Sequence, residues 1–349
     1  MLHNAARPST VSAMTRDGLQ YYRNVTGSLE AKAKSKGGRL PLYEHMRLSY
    51  CKKPFLYFDT DEEITQLAYD AANNIQYLGE EGKIEARPVD NDYWFRVWQT
   101  FQETMEEMAR RGIHPREIIG DRDKFAQYFH DGEPVGLRLL KGVSFAPFKK
   151  LLKFSRRDYV QDMLNIGRFR ISPASSYNNP AYNVAMADVE VERRYRVSLI
   201  SEYMDGEDFI EVKGNRIPVS QGYLPVDFPL PDYYLFSTCG LPERRMPTDF
   251  QSNAALLIHR PREFVRRIKV ALQNAQPTWQ FMEGPVKYYD RYKDIPSDQD
   301  QEFYKEFKFA YQAEHRIILR PNGIGHYTNL QPFFVEIGNL SDIAEMLHT

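Results

Sequence analysis

The stretch LLKFSRRDYVQDMLNIGRFRISPASSYNNP, residues 151–180, decides the fold. Short apolar runs at its start and in RFRISP lie on either side of a segment with helical spacing, residues 158–166. This pattern predicts a strand, a helix and a second strand in close succession. Lys153 places a basic side chain in the first of these strands.

The whole chain beyond residue 132 consists mainly of short apolar runs separated by Pro, Gly and Asn, which predicts strands. The runs are VGLRLLKGV (135–143), RFRISP, VSLISEY, DFIEV, YYLFSTCG (233–240), ALLIHR, VKYYD, HRIIL and FFVEI. Only two good helices interrupt them, at about 158–166 and from Pro261. Because strands outnumber helices and do not alternate with them, we predict an α+β domain with a mainly antiparallel sheet.

The chain before residue 132 has helical periodicity instead. Thr60 and Glu63 have the spacing of a capping box ahead of a run of apolar residues at helical intervals. A second helix is predicted from about Asp92, with Gly112 as its stop, and a shorter one over 115–130. We therefore predict a helix-rich N-terminal domain over 1–132 and the α+β domain over 133–349.

Composition excludes several classes of protein. The chain has 349 residues, with 46 Lys and Arg against 47 Asp and Glu, so its net charge of -1 does not favour a polyanionic partner. Its two cysteines, Cys51 and Cys239, are far apart, which argues against a disulfide framework or a zinc site. No apolar run approaches the length of a membrane helix or signal peptide. We expect a cytoplasmic protein without a membrane partner.

Common nucleotide and hydrolase motifs are absent. The sequence contains no GxGxxG, GxxxxGK[ST], HExxH or GxSxG, which removes the simplest dinucleotide, nucleoside-triphosphate, zinc-protease and esterase interpretations. Basic residues gather at 149–157 and 260–269, and the first cluster is interleaved with aromatic residues. Such clusters are typical of a solvated surface, and they also fit nucleic-acid binding.

Three stretches occur in an order that indicates a site. The first is the strand with Lys153. The second is YLFSTCG (234–240), a predicted strand with Ser237 and Thr238 at its end. The third is QAEHRIILRPNG (312–323), which opens with Gln312 and Glu314. This layout resembles that of the ADP-ribosyltransferases, whose pattern is Arg or His, then Ser-Thr-Ser, then Gln-x-Glu or Glu-x-Glu. The resemblance implies a split-sheet catalytic domain that uses NAD as a substrate and needs no metal.

The same region also resembles a large family of poorly characterised bacterial proteins. Their pattern is a KY or KF start, an FNDP-like turn, a CFS strand and a final K-x(n)-E-x-E-R strand. The corresponding pieces here are Lys153-Phe154, Ser176 to Pro180, Phe236-Ser237 and Lys308 to Arg316. Both resemblances cover roughly 148–325 and leave the role of the N-terminal region open.

The chemistry of NAD cleavage independently requires the residue types of the third stretch. The nicotinamide–ribose bond breaks through an oxocarbenium-like state, so a carboxylate is needed near the ribose, and Glu314 is the candidate. Gln312 lies two residues earlier, and on a strand both side chains project from one face. We expect Gln312 to face the acceptor and Ser237 to bond the ribose or hold Glu314.

The resemblance also implies a set of NAD contacts. Lys153 meets the adenosine ribose or the diphosphate, and Arg156 or Arg138 can fill the first motif position in its place. Tyr177 or Phe309 stacks on the nicotinamide. The cofactor-binding residues that we predict are Lys153, Arg156, Tyr177, Asn178, Thr238 and Phe309.

The predicted activity is mono-ADP-ribosylation of a macromolecule, with nucleic acid preferred over protein, by a toxin or phage-defence effector. Such a toxin implies a neutralising antitoxin partner, for which the helix around Trp94, Trp98 and Phe101 is one docking face; the same residues also suit the N-terminal core. Two rivals stay open. One is a non-catalytic binding or adaptor module on this fold, and the other is a nuclease in which Glu314, Asp290 and Asp294 hold a divalent metal.

Overall fold

A computed structural model describes residues 16–114, 128–129, 132–179, 181, 185–198, 209–212, 215–218, 223–294, 299–322 and 329–349. The fold is a mixture of helices and antiparallel sheet, which confirms the α+β class. Helices dominate up to residue 111, and strands dominate from residue 151. The third helix expected over 115–130 falls outside the described residues, apart from 128–129.

Four long helices lie within residues 16–111, all of which the structure describes. They are α1 (Arg16–Ser35), α2 (Leu42–Lys52), α3 (Asp61–Ile75) and α4 (Asp92–Arg111), and a small hairpin of β1 (Gln76–Leu78) and β2 (Ile84–Ala86) follows α3. Thr60 and Glu63 form the predicted capping box. Gly112 ends α4 in the left-handed conformation, as predicted.

The core between these helices includes residues from far along the chain. Tyr50, Leu56, Ile64 and Met108 are buried in it, and Tyr292 and Phe307 pack into the same cluster. The helices therefore share apolar contacts with the segment that leads to Glu314.

The second part of the chain begins with an unexpected helix. Residues 135–143 were predicted as a strand, but α5 (Val135–Leu139) occupies this segment. Leu139 and Leu140 are both buried although they are adjacent, which a half-exposed strand does not allow. Leucine is a good helix former. The backbone N–H of Leu140 donates a hydrogen bond to the Gly136 carbonyl oxygen, so a helical turn pairs the backbone polar groups of this segment.

Many of the remaining elements match predicted runs, but others, such as the strands at 215–218, 280–285 and 344–348, were not predicted. Most of the predicted run VSLISEY (197–203) lies outside the described residues. The helices are α6 (Arg157–Ile166), α7 (Met246–Asp249) and α8 (Pro261–Ala275). The strands are β3 (Leu151–Ser155), β4 (Arg168–Pro173), β5 (Glu192–Ser198), β6 (Phe209–Val212), β7 (Asn215–Pro218), β8 (Tyr223–Pro229), β9 (Tyr234–Cys239), β10 (Ala254–Ile258), β11 (Gln280–Pro285), β12 (Lys287–Tyr289), β13 (Tyr304–Glu306), β14 (Glu314–Arg320), β15 (Phe333–Glu336) and β16 (Ala344–His348).

The central sheet has eight strands, all paired antiparallel. Six follow the order β11-β14-β9-β3-β10-β16, while β4 pairs with β9 and β15 pairs with β4. Helices α6 and α8 cover one face, where Val160, Phe264 and Ile268 pack on Phe169 and Leu256. Outside this sheet, β5 pairs with β8, β6 with β7, and β12 with β13.

The sheet is split beside β9. One edge of β9 pairs with β14 from Tyr234 to Cys239. The other edge is shared, because β3 meets it at Cys239 and β4 meets it at Leu235 and Tyr234. Strands β3 and β4 therefore separate beside residues 236–238, and α6, which connects them, lies next to the gap.

Gly167 tests how closely the turn between α6 and β4 packs on the residues that follow β15. Gly167 has φ +65, and a Cβ there would lie 2.3 Å from the carbonyl oxygen of Gly338. Gly112 is the matched control, because its φ is +75 and nothing lies within 4 Å of its Cβ position. Alanine in the left-handed region costs about 1–2 kcal/mol at either site. We expect Gly167→Ala to lose about 1–3 kcal/mol more than Gly112→Ala, because of overpacking, in urea unfolding. Equal losses would contradict this packing.

Candidate active site

The split in the sheet opens into a cleft. Its volume is about 900 Å³, within the usual range for small-molecule sites. The walls come from β3, α6, β4, β9, residues 185–190 and the turn before β14. Lys153, Ser237, Gln312 and Glu314 all line it, so the three sequence stretches meet in one place.

Glu314 is the first residue of β14 and is held from several sides. Ser237 Oγ and Arg316 Nε both donate hydrogen bonds to Oε1, the second over 2.8 Å, while Lys305 Nζ lies 3.1 Å from Oε2. The backbone N–H of Glu314 donates to Tyr288 Oη at 2.8 Å. Burial alone raises the pKa of Glu314, but the charges of Arg316 and Lys305 outweigh it and hold that pKa well below the usual range.

Gln312 reaches the cleft by a route that the sequence did not predict. It ends a 3₁₀ helix, Phe307–Gln312, and is not on the strand, because Ala313 has φ 40 and turns the chain before β14 begins. The prediction that strand alternation places Gln312 beside Glu314 is therefore wrong. The two side chains meet through Lys305, whose Nζ lies 3.2 Å from Gln312 Oε1. Gln312 Nε2 donates to the Ala185 carbonyl oxygen at 2.8 Å.

Lys153 lies on β3 where the sheet separates. Its Nζ donates to the Ser237 carbonyl oxygen at 2.8 Å and sits 4.8 Å from the centroid of the Phe236 ring. The ammonium thus satisfies a carbonyl of β9 in the gap between β3 and β4. Burial lowers the pKa of Lys153 to about 8, although the Glu314 charge opposes the shift.

The other predicted NAD contacts are divided between the cleft and its surroundings. Arg156, Tyr177 and Thr238 line the cleft. Asn178 is exposed and does not line the cleft. Phe309 is buried, and the Lys305 ammonium lies 4.4 Å from the centroid of the Phe309 ring. Of the two aromatic candidates for the nicotinamide, Tyr177 is thus the one that lines the cleft. Arg138, the proposed substitute for Lys153, is exposed on α5, outside the lining.

Sequence reasoning missed the charged residues that surround Glu314. Lys305 Nζ lies 3.4 Å from Asp188 Oδ2 and 3.7 Å from Glu190 Oε1, and Arg316 binds Glu190 as well as Glu314. The resemblance had matched Lys308, but Lys308 is partly exposed and pairs with Glu306. Arg316 could have been found, since it lies two residues after Glu314 on a strand and therefore shares its face.

The metal-dependent nuclease alternative can be compared with the geometry. Asp290 contacts Thr100 and Lys293, and Asp294 pairs with Arg96, so neither lines the cleft with Glu314. Within the described ranges, no group of three or more His, Cys, Asp or Glu side chains is arranged to hold a metal ion.

Cys239 lines the cleft but lacks the character of a nucleophile. Its thiol is buried against the Met246 sulfur, and burial raises the pKa of this thiol far above its ordinary value. Reactive cysteines have a lowered pKa. The cysteine in the middle motif is therefore a packing residue.

Comparison with known proteins gives no match for this chain. No protein-family model, no curated protein and no solved structure is significantly similar to it. Among the helices that the structure describes, none combines the length and apolar composition needed to cross a bilayer. The functional argument therefore rests on the cleft itself.

The buried ion pairs at Glu314 predict an unequal response of two arginines on the same strand. Arg316→Gln removes a fully buried guanidinium that binds Glu314 and Glu190, so we expect a loss of about 3–5 kcal/mol in the free energy of unfolding. Arg320→Gln is the control, because Arg320 is partly exposed and pairs with Glu302 and Asp300; its loss should stay below about 1 kcal/mol. Chemical denaturation measures both, and similar losses would rule out the tight network.

Proposed function

We propose that this protein is a NAD-dependent mono-ADP-ribosyltransferase, and that Glu314 is its central catalytic residue. One observation carries the proposal: a buried glutamate that accepts a hydrogen bond from Ser237 lines a cleft formed by a split antiparallel sheet. Lys153 and Gln312 line the same cleft, in the order that resembles the ADP-ribosyltransferase pattern.

The contacts of Glu314 suit the stabilisation of positive charge. Ser237 and Arg316 fix Oε1, while Oε2 has its shortest contact with Lys305 and is the less constrained oxygen. As the bond between the ribose C1′ and nicotinamide breaks, positive charge develops on the ribose ring. A fixed carboxylate in a water-poor site stabilises this charge without having to reorganise.

The charges of the cleft are distributed to suit NAD. Carboxylates lie around Lys305 at the inner end, where the cationic nicotinamide ribose would bind. Arg168 and Arg170 project toward the cleft from alternate positions of β4, and Arg156 lines it at the start of α6. Together with Lys153 these arginines would bind the diphosphate, because guanidinium groups match phosphate geometry.

The mouth of the cleft supports a nucleic-acid acceptor over a protein acceptor. Arg156 stacks on Tyr159 at 4.4 Å, and Arg168 stacks on Phe334 at 4.5 Å. Tyr159 and Phe334 are 49% and 55% exposed, large fractions for aromatic side chains. Exposed rings beside arginines offer stacking surfaces for bases and contacts for phosphates. RNA is our preferred acceptor, as for a cytoplasmic toxin or phage-defence effector with a neutralising protein partner.

A non-catalytic binding module is the second candidate, because ion pairs with Lys305 and Arg316 already neutralise the Glu314 carboxylate. This module would bind NAD or a related dinucleotide without cleaving it. Incubation with NAD labelled in the adenosine part, with and without cellular RNA, separates the two functions. Release of nicotinamide or transfer of label supports the enzyme, whereas retention of intact NAD supports the module.

Glu314→Gln tests the catalytic role without removing the hydrogen-bonding shape of the side chain. The neutral amide cannot stabilise the oxocarbenium charge, so we expect the rate of NAD cleavage to fall by about 100-fold to 1,000-fold. Nicotinamide release, followed by chromatography, gives the rate.

Glu345→Gln is the matched control for this variant. Glu345 lies on β16 of the same sheet, is half exposed and pairs with His259 away from the cleft. It should keep the wild-type rate. If Glu314→Gln also cleaves NAD at that rate, the assignment is wrong.

The pKa of Lys153 predicts how the KM for NAD depends on pH. Its pKa of about 8 means that the ammonium loses its charge as pH rises from 7 to 9. If it binds the diphosphate, the KM for NAD should rise several-fold over this interval, while Lys153→Met should have a high KM that is independent of pH in this range. Lys269→Met on α8 is the control and should keep the wild-type profile. A wild-type KM that stays constant between pH 7 and 9 would refute the diphosphate contact.

A further inference from the structure

Asp188 is a cleft residue that neither the sequence motifs nor the roles above include. It follows a short segment that is fixed on both sides, since Gln312 Nε2 donates to the Ala185 carbonyl oxygen and the Asp188 N–H donates to the Tyr177 carbonyl oxygen. Its side chain lines the cleft and is 15% exposed. Its carboxylate therefore has a defined position beside Gln312.

One ammonium group joins Asp188 to the residues already assigned to catalysis. Lys305 Nζ lies 3.4 Å from Asp188 Oδ2, 3.1 Å from Glu314 Oε2 and 3.2 Å from Gln312 Oε1. Although Asp188 Oδ2 is buried, it accepts no hydrogen bond from any described residue. Buried carboxylate oxygens are normally hydrogen-bonded. The contact that the described residues give Asp188 Oδ2 is this 3.4 Å ion pair with Lys305, so the oxygen can take a proton from a group that enters the cleft.

We infer that Asp188 is the general base that accepts the proton of the attacking acceptor group. The role rests on the proposed function. The bond between C1′ and the nicotinamide nitrogen breaks, and nicotinamide leaves with the electron pair as a neutral molecule. The acceptor oxygen or nitrogen forms a new bond to C1′ and loses its proton to the Asp188 carboxylate, which later releases it to solvent. Water can act as the acceptor in the same way, which gives ADP-ribose.

The other two carboxylates of the cleft are unsuited to this task. Glu314 is held ionised by Arg316 and Lys305. Glu190 is buried, but the charges of Arg316, Lys305 and Arg193 lower its pKa to about 2. Neither group takes up a proton near neutral pH. A general base is most effective when its pKa lies near the working pH.

The surroundings of Asp188 raise the pKa of its carboxyl group instead of lowering it. Burial and the nearby Glu190 carboxylate raise the pKa of Asp188 to about 7, and the Lys305 and Arg316 charges oppose this shift without cancelling it. Other ionisable groups near it are Glu314, across Lys305, Arg193, whose pKa the Asp188 charge helps to raise, and Tyr177, whose pKa burial raises to about 12. Neighbouring carboxylates with widely separated pKa values are typical of sites that divide charge stabilisation from proton transfer.

The kinetic test uses NAD with water as the acceptor, and then with cellular RNA. The wild-type rate should rise with pH through about 7, because the base must be ionised. Asp188→Asn should lower kcat by about 100-fold, leave the KM for NAD within about twofold, and remove this rise. Asp188→Glu should restore part of kcat. Asp227→Asn, at an exposed position of β8, is the control and should behave as the wild type.

A stability measurement tests the titration of Asp188 without NAD. An unfolded aspartate has a pKa of about 3.9, so the raised folded value of about 7 favours folding below pH 4 and loses that contribution as pH rises through 7. Asp188→Asn has no such titration. The Tm of this variant relative to wild type should therefore increase by about 3 °C or more between pH 5 and pH 8.5.

The outcomes separate the two claims. If the wild type cleaves no NAD, both the proposed function and the base role are wrong. If the wild type cleaves NAD and Asp188→Asn keeps its rate and its pH profile, only the base role is wrong. A Tm difference that is constant from pH 5 to pH 8.5 would show that Asp188 does not titrate in this range, which also overturns the base role.

Discussion

The unequal pairing of β9 is the constraint on which the site depends. A strand inside a sheet normally has its backbone groups paired on both edges. Here β14 covers one edge of β9, while β3 and β4 share the other and diverge at its middle. The divergence exposes a carbonyl, and Lys153 bonds to it. The gap that this polar side chain occupies is also where the cleft opens beside Ser237.

The charges around Lys305 follow from this geometry. A buried carboxylate stays ionised at an acceptable cost only when a cation lies nearby. Lys305 and Arg316 supply those charges, and each contacts both Glu190 and Glu314. The arrangement holds Glu314 ionised and gives its carboxylate a single position. The positive charges offset the burial of Asp188 less completely, so the pKa of Asp188 is raised while that of Glu190 is lowered.

Local sequence patterns predicted several elements that form from local rules, whereas α1, α2, β11 and β16 were not predicted. The capping box at Thr60, the stop at Gly112 and the strand–helix–strand of 151–173 follow from side-chain spacing alone. The helix at 135–139 was missed because a short Leu-rich run fits a strand and a helix equally well. Burial of two adjacent leucines, a tertiary property, decides between them.

The site was predicted less completely, and the reason lies in one turn. The alternation of side chains along a strand cannot show that Ala313 adopts a left-handed conformation between Gln312 and Glu314. It also cannot choose Lys305 over Lys308, because the 3₁₀ helix between Lys305 and Glu314 changes which side chains face the cleft. The residues of the motif were found, but the contact that unites them comes from outside it.

The N-terminal helices take part in fixing this turn. Asn74 of α3 is fully buried; its Oδ1 accepts from the Tyr311 N–H at 3.0 Å, and its Nδ2 donates to the Lys308 carbonyl oxygen at 3.0 Å. Both bonds hold the 3₁₀ helix that ends in Gln312. Because a buried amide without its partners is costly, α3 and this helix are held in one relative position. The helical region, whose role is not predictable from its residues, therefore supports the proposed active site, and a partner that displaced α3 would also move Gln312.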